Sequence, residues 1–458
     1  MNSTALRSGL QSARALALQT LLDCRQSDAF AQEILDVRLA ASGLQPADRR
    51  LVTQLTYGVL RRRGTLDALL RPLVKRQPHQ VETWLWEALR LGAYQLALLT
   101  QIPTYAALNE TVELATNVGR PGSKGFLNGV LRTLSRLLTS ETVDAPAADA
   151  LPLEAGHYRK LAGPVLPDPA AHPLEYLAQA FALPDWLAER WLRRYPWEEC
   201  VRQAFWFAGP APLWLRCNRL RIDRDRLLKA LADAGVAAAP GDVANAVRIE
   251  APASIRELPG YDEGWFSVQD ESAVRVAVAV EPKPGDRILD MCAAPGGKTT
   301  HLAELMDNCG QIVACDVDHR RLQKLDTLCQ RLRISIVEKR PLGAEEEPPA
   351  ERFDAVLVDA PCSNTGVLGR RPEARWRLRP EHLERLMTLQ TKLLLQAIDR
   401  VRLGGRVVYA TCSVEPEENR NVVRRVVGAV PGWAIEAEEE QVPGQPADGG
   451  YWARLRKS

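Results

Sequence analysis

Two cysteines, Cys362 in VDAPCSNTG and Cys412 in YATCSVEPEEN, each stand just past the carboxyl end of a strand-like apolar run. A thiol in apolar surroundings is normally no more than a small hydrophobe. These two have polar neighbours in loop segments, where a thiolate can be exposed, tuned and used as a nucleophile. Asp359 adds a carboxyl group at the first of those strand ends. The other cysteines, at 24, 200, 217, 292, 309, 315 and 329, form no Cys-x-x-Cys pair, and the six histidines are scattered. Neither a zinc site nor a disulfide framework has the short, regular spacing it requires, so no metal is expected. Reduced thiols in a cytosol are the default.

A second chemical stretch lies upstream, LDMCAAPGGKTT at 289–300. A strand, paired glycines and then a helix start bring backbone N–H groups to one spot, where the helix dipole favours an electron-rich ligand. A phosphate-binding loop needs a glycine five residues before its last one, and Cys292 stands there. A dinucleotide fingerprint needs three spaced glycines, but Gly296 and Gly297 are adjacent. An adenosine-type ligand without a polyphosphate remains. Asp316, twenty residues after Gly296, is spaced to accept from both hydroxyls of a ribose. Asp290 and Asp316 each either hold a ligand group or cap a turn.

These residues need a scaffold that brings strand ends together. From 285 onward strands and helices alternate, the pattern of a parallel sheet covered on both faces. Strands are predicted at 287–291, 311–315, 335–337, 355–358 and 406–410. Before the last of them, a long helix carries Leu386, Leu389, Leu393, Ala397 and Val401 on one face. In such sheets the ligand lies beyond the carboxyl ends of the strands. Upstream, residues 1–140 read as all-helical. Leu51, Leu55 and Val59 recur every four residues; Leu85, Leu89 and Leu96 share a face; Leu127, Val130, Leu131, Leu134 and Leu138 make a full stripe. The Pro- and Ala-rich stretch 141–172 reads as a linker with little regular structure. Residues 173–250 mix the helical LPDWLAERWLRRYP with strand-like PLWLRCNRL and VANAVRIEAP, a small α+β piece.

The 458 residues, 46% hydrophobic and 25% charged, suffice for several cores. No apolar run reaches the roughly 18 residues of a membrane span, and MNSTALRSGL has no secretory h-region, so an intracellular, cytoplasmic protein is expected. Net charge is +2, yet residues 1–140 hold 17 Lys/Arg against 10 Asp/Glu, with clusters at Arg61, Arg62 and Arg63 and at Arg71, Lys75 and Arg76. That excess fits contact with phosphates, or a solvated helix face. Trp186, Trp191, Trp197, Trp206 and Trp214 lie among Arg190, Arg193, Arg194, Arg202, Arg216 and Arg219, a mixture that either stacks on bases or packs a core.

AAPGGKTT, DAPCSNTG and ATCSVEPEEN, in that order on such a sheet, closely resemble the RNA cytosine-C5 methyltransferases that use S-adenosyl-L-methionine, most closely the bacterial Sun/Fmu (RsmB) type acting on 16S rRNA. AALNETVELA and GFLNGVLRTL resemble the NusB-like helical domain of that type, and WFSVQDESA resembles the start of its catalytic domain. The resemblance implies a Rossmann-like methyltransferase domain at 251–458, behind a NusB-like RNA-binding domain at 1–140, the linker and the small RNA-contacting α+β subdomain at 173–250. It also implies the chemistry. Cys412 is the nucleophile that adds to C6 of the base. Asp359, protonated or hydrogen-bonded, holds the N3/N4 edge, and Cys362 removes the C5 proton or releases the adduct. Cys292, Ala293, Ala294, Pro295, Gly296 and Gly297 bind the cofactor, with the backbone at Gly296 and Gly297 approaching its methionine part and Asp316 on its ribose. Lys298 lies at the active-site side near methyl donor or base, and Asp359 also borders the cofactor.

The partner implied is naked or early-assembly 16S rRNA, bound by a monomer, with no membrane and no metal. Members of the family usually carry an adenine-contacting acid after the third strand, but here VEKRPLGAEEEPP has Pro341 near that place. Glu338 or the 345–347 acidic run substitutes, or the contact is absent. A cytosine must leave its stack to expose C6. GRRPEARWRLRP, with Arg370, Arg371, Arg375, Trp376, Arg377 and Arg379, lines the path or forms a surface lid.

Overall fold

The computed structural model describes residues 12–250, 253–343 and 346–457, and the chain divides into two compact units. One comprises Met1–Pro210 with Leu368–Arg377, the other Ala211–Val367 with Leu378–Ser458. In the first, α1 (Ala13–Gln26), α2 (Ala31–Ala40), α3 (Pro46–Leu70), α4 (Thr83–Leu98), α5 (Thr104–Asn117) and α6 (Lys124–Leu137) form a helical bundle. The stripes expected from the sequence are its core: Leu55, Val59, Leu85, Leu89, Leu96, Leu127, Val130, Leu131 and Leu134 are buried together. Each buried leucine is worth about 1.5–3 kcal/mol, which is what holds helices of unremarkable intrinsic propensity. Leu51 is only partly covered, and Leu138 leaves the helix to start a strand.

The stretch 141–172 is not the irregular linker expected. β1 (Leu138–Val143), β2 (Ala150–Glu154) and β3 (His157–Leu161) form an antiparallel sheet in the order β1-β3-β2. Leu151 and Leu161 join the helical core, whereas Ala150 and Tyr158 face a second cluster. Alternation over five-residue strands is too short to stand out against so many prolines and alanines. That second cluster is aromatic and belongs to α7 (Pro173–Ala180), α8 (Asp185–Arg194) and α9 (Trp197–Ala208), with Phe205 edge-to-face on Phe181 at 4.8 Å and on Tyr158 at 5.4 Å between ring centroids. The α+β piece expected at 173–250 is divided, since these helices pack in the first unit and its strands in the second.

The second unit opens with β4 (Leu213–Cys217), α10 (Arg224–Asp233), β5 (Ala238–Pro240), β6 (Ala246–Ile249) and β7 (Phe266–Val268), a small sheet in the order β5-β6-β4-β7. After α11 (Glu271–Ala279) come β8 (Arg287–Asp290), α12 (Gly297–Leu305), β9 (Gln311–Asp316), α13 (His319–Leu332), β10 (Val337–Pro341) and β11 (Phe353–Asp359). The chain then supplies Leu368–Arg377 to the first unit, including the short α14 (Ala374–Arg377), and returns with α15 (Pro380–Asp399), β12 (Val401–Thr411), α16 (Arg420–Ala429), β13 (Trp433–Gln441) and β14 (Gly450–Lys457). The seven-stranded sheet runs β10-β9-β8-β11-β12-β14-β13, parallel through β12, with β14 antiparallel to both β12 and β13.

Central strands such as β11 are buried on both faces, as parallel strands between helical layers must be. In that register Leu357 pairs with Asp290, Asp290 with Ala314, and Asp359 with Ala410. Four carboxyl ends therefore meet on one rim. Two expectations shift. β10 lies at 337–341 rather than 335–337, because an edge strand can run on through charged side chains that water solvates. Val401 begins β12 instead of extending the helix, and α15 buries Leu383, Gln390, Leu394, Ala397 and Ile398 while Leu389 is exposed.

Candidate active site

β8 ends at Asp290, and the loop that follows reaches α12 through Gly296, whose φ of +110° suits only glycine. A Cβ there would also lie 2.3 Å from Cδ1 of Leu325. Gly297 differs: its nearest neighbour to an added Cβ is Gln269 Nε2 at 3.8 Å, so the space beside it is open. The loop is tied from within. Ala293 N–H donates to the Cys315 carbonyl at 2.9 Å and Ala294 N–H to Asp316 Oδ2 at 2.8 Å, and the Ala293 side chain packs against Ala314, Leu322 and Leu325. Two of the N–H groups expected to face a ligand are thus engaged within the protein. Asp316 also accepts from Asp318 N–H at 2.8 Å, so each carboxylate oxygen holds one donor and keeps acceptor capacity. Val317, beside it, is 62% exposed, an apolar surface next to the carboxylate.

Asp290 is buried. Its Oδ2 accepts from Thr299 Oγ1 at 2.7 Å, while Oδ1 has no partner among the described residues. Burial lifts its carboxyl group to about 7; Thr299 opposes the shift, and the charge of Asp359 adds to it. Cys292 is half-buried, and desolvation pushes its thiol well above the ordinary range, with the surrounding carboxylates acting in the same direction. Lys298, on the first turn of α12, donates to Asp359 Oδ2 at 2.6 Å across the end of β11. Burial works against its charge, but Asp359 outweighs burial and holds the ammonium above its usual range. The unpartnered Asp290 oxygen, the open space at Gly297 and the spare acceptor capacity of Asp316 fit a cationic nucleoside cofactor such as S-adenosylmethionine.

The loops after β11 and β12 bring the two thiols together. Cys362 Sγ and Cys412 Sγ are 3.3 Å apart, both as free thiols. Cys412 Sγ also lies 3.3 Å from Asn364 Oδ1, and Asn364, at φ +62°, donates its amide to the Cys362 carbonyl at 2.9 Å. The hydrogen bond to Cys412 is the main reason the Cys362 thiol is held well above its ordinary range, followed by burial. Gly366 N–H donates to the Cys412 carbonyl at 3.0 Å, and a Cβ on Gly366 would lie 2.4 Å from the Gly449 carbonyl oxygen. Beneath the thiols, buried Glu418 accepts from Ser363 N–H at 2.8 Å, Gln390 Nε2 at 3.0 Å, Ser413 Oγ at 2.5 Å and Ser363 Oγ. Asn419 binds Thr411 Oγ1 and the Ser413 carbonyl. The sequence reading missed Asn364, Gln390, Glu418 and Asn419. Their only signal was membership of the two cysteine motifs, and Gln390 had none.

Where RNA contact and a packing role were both open, several residues take the packing role. Arg216 is fully buried, with Nη2 at 2.7 Å from Glu304 and Nη1 donating to the Gly297 carbonyl at 2.7 Å, which ties β4 to the glycine loop. Trp191 and Trp214 are core residues, and Arg193, Arg202 and Arg219 pair with Glu189, Glu199 and Asp307. In the first unit Arg62 donates to the Pro152 carbonyl, Arg61 to the Gly369 carbonyl at 2.7 Å, and Arg63 lies over the Trp376 ring. Arg375 is buried among the carbonyls of Arg61, Phe181, Ala182, Phe207 and Leu368, and Arg377 bonds those of Cys24, Ser27, Asp28 and Ala29. Arg375, Trp376 and Arg377 therefore anchor their segment rather than line an open path. A guanidinium needs donors satisfied wherever it goes, and backbone carbonyls serve as well as phosphates.

Of the acids weighed against adenine, Glu338 accepts from Gln311 at the opposite end of β9, and Glu347 pairs with Arg400. Glu345 lies outside the described residues. Glu346 accepts from Gly343 N–H at 2.9 Å.

Three family models match: the NusB family over residues 11–136, the RsmF/B-like methyltransferase ferredoxin-like domain over 183–256, and 16S rRNA methyltransferase RsmB/F over 277–447. A ribosomal RNA small subunit methyltransferase B of Salmonella paratyphi B is 35% identical over 426 residues, covering 90% of this chain and 91% of the relative. The chain belongs to the RsmB/F family of 16S rRNA methyltransferases. Another RsmB/F relative, the probable ribosomal RNA small subunit methyltransferase B of Bacillus subtilis, is 32% identical, covering 94% of this chain and 91% of its own. The solved structure of PH0851 aligns with a TM-score of 0.78 at 25% identity over 99% of this chain and 100% of its own. NSun6 from Pyrococcus horikoshii, solved with SFG, an analogue of S-adenosylmethionine, shares the fold with a TM-score of 0.54 at 23% identity, over 59% of this chain and 97% of its own. As an RsmB/F enzyme the chain is an rRNA methyltransferase, with the helical, small and Rossmann-like parts of that family, and S-adenosylmethionine is the family's cofactor. Among the described residues no helix is long and apolar enough to cross a membrane.

Proposed function

We propose that this RsmB/F enzyme methylates C5 of a cytidine in naked or early-assembly 16S rRNA, as a cytoplasmic monomer, through a covalent bond between Cys412 and C6. The observation that carries the reading is the pair of free thiols 3.3 Å apart on the rim that also holds the Lys298–Asp359 pair. S-adenosylmethionine, when bound, supplies an activated methyl group. The loop at 292–297 would hold its methionine end and Asp316 its ribose hydroxyls. C5 of cytosine is a weak nucleophile, and addition of a thiolate at C6 pushes an electron pair onto C5. Lys298 lies within electrostatic reach of Cys412 and favours its thiolate.

Asp359, hydrogen-bonded to Lys298, holds the N3/N4 edge of the base, and the Lys298 ammonium offsets the negative charge that develops on the ring during addition. The C5 electron pair takes the methyl group. Cys362 then accepts the C5 proton, the C5–C6 double bond re-forms, and Cys412 leaves as thiolate. The environment of Cys362 suits that order. Its thiol is held protonated chiefly by the hydrogen bond to Cys412. Once Cys412 is bonded to carbon, that hydrogen bond and the neighbouring charge disappear. Cys362 then releases its proton to water more readily and becomes a base.

Incubation with naked 16S rRNA and methyl-labelled S-adenosylmethionine tests the reading, with label expected in 5-methylcytosine; no such label sinks it. Cys412→Ala is expected to abolish turnover without trapping RNA, and Cys362→Ala to accumulate a covalent protein–RNA adduct visible on a denaturing gel. The reverse pattern would exchange the two roles.

A further inference from the structure

The two cysteines share a local pattern: each is followed by a serine, and both serines end on the same carboxylate oxygen. Ser363 Oγ and Ser413 Oγ donate to Glu418 Oε2 and lie 3.1 Å from each other, while Ser363 N–H and Gln390 Nε2 occupy Oε1. Four neutral donors therefore fill the acceptor positions of a carboxylate that is 0% exposed. Gln390 also donates to the Pro361 carbonyl at 2.9 Å, which fixes the first thiol loop from its other end. Tyr409 donates to the Glu418 carbonyl at 2.5 Å, which fixes the glutamate itself to β12. Burying a carboxylate without a cation is unfavourable, and an apolar residue of similar size would satisfy stability alone. What an apolar residue would not do is tie the backbone after Cys362 to the backbone after Cys412.

We propose that Glu418 is a positioning residue for the methyl-transfer reaction, holding the two thiol loops in the register that keeps both sulfurs on one base. This rests on the two-thiol reading given above. Glu418 touches neither substrate nor cofactor and acts through Ser363 and Ser413. Loss of its bridge should leave S-adenosylmethionine binding intact, because Asp316 and the glycine loop stand on β8 and β9 and share no hydrogen bond with it. Thiol geometry should suffer instead.

The test uses the full chain carrying Glu418→Gln, which keeps the shape and removes the charge. Diamide takes up the two thiol hydrogens as Cys362 and Cys412 form a disulfide, and the rate of that closure, read by peptide mass spectrometry, reports how well the sulfurs are aligned. Closure is expected to slow about tenfold, and kcat to fall roughly 100-fold with KM for S-adenosylmethionine unchanged, the size of effect that a displacement of about 1 Å produces. Should Glu418→Gln fail to fold, Ser363→Ala and Ser413→Ala each remove one arm of the bridge and are measured in the same way, with smaller losses expected. Wild-type rates of both closure and turnover in a folded variant would overturn the proposal. So would a parallel loss of cofactor binding, which marks a general structural role. If the wild-type protein itself makes no 5-methylcytosine, the catalytic reading fails, and the closure rate alone decides whether Glu418 sets the thiol geometry.

Discussion

Asp290 is a buried carboxyl group at the end of β8, where Thr299 answers one of its oxygens and the charges of Asp359 and Asp316 add to the effect of burial. Its carboxyl group titrates at about 7 instead of the ordinary 3.8. The folded protein therefore keeps a proton that the unfolded chain releases, and stability falls as pH rises between those two values and is level above them. Asp290→Asn is expected to flatten the dependence of melting temperature on pH over that window, measured by thermal denaturation from pH 4 to pH 8. The same scale shows what the sequence discloses. Cys362, Cys412 and Asp359 were legible because scarce, reactive side chains stand at strand ends. Glu418 was not. It sits in a run with Glu415 and Glu417 that looks like solvated charge, and only contacts with residues as distant as Ser363 and Gln390 make it a buried bridge.

At the scale of elements, adjacent glycines divide the labour of one turn. Gly296→Ala forces a side chain into the left-handed region, at about 1–2 kcal/mol for the backbone alone, and drives it into Leu325. Gly297→Ala meets nothing closer than 3.8 Å, so stability should stay within about 0.5 kcal/mol while the cradle beside it fills. The first variant is expected to melt early. The second should melt normally yet bind S-adenosylmethionine at least about tenfold more weakly by calorimetry. Element type was readable here because parallel strands are continuous apolar runs, as in β11. Element limits were not. β10 keeps its ladder through charged residues, and α15 turns its face by about one residue because Gln390 is needed inward, on Glu418.

Across the whole molecule, the helical bundle and the parallel sheet were visible from their periodicities, whereas the sheet at 138–161 and the division of the α+β piece were not, because both depend on what packs against short segments. The arginines of 369–377 are the sharpest case, since charge in a sequence carries no sign of whether water or backbone will receive it. Arg375→Met would leave five carbonyl groups without their donor and is expected to lower stability by about 3 kcal/mol. Limited trypsin digestion should then cut after Arg370 or Arg377, bonds expected to resist in the wild-type protein.

That excursion of Leu368–Arg377 also bears on how the gene can be divided. The ribosome completes residues 1–210 long before it makes the peptide that finishes their packing. A catalytic half made separately from Ala211 onward would carry that basic strip with its natural bed missing. Fission at the obvious seam should therefore yield two fragments that each work poorly, and rejoin activity only when both are present.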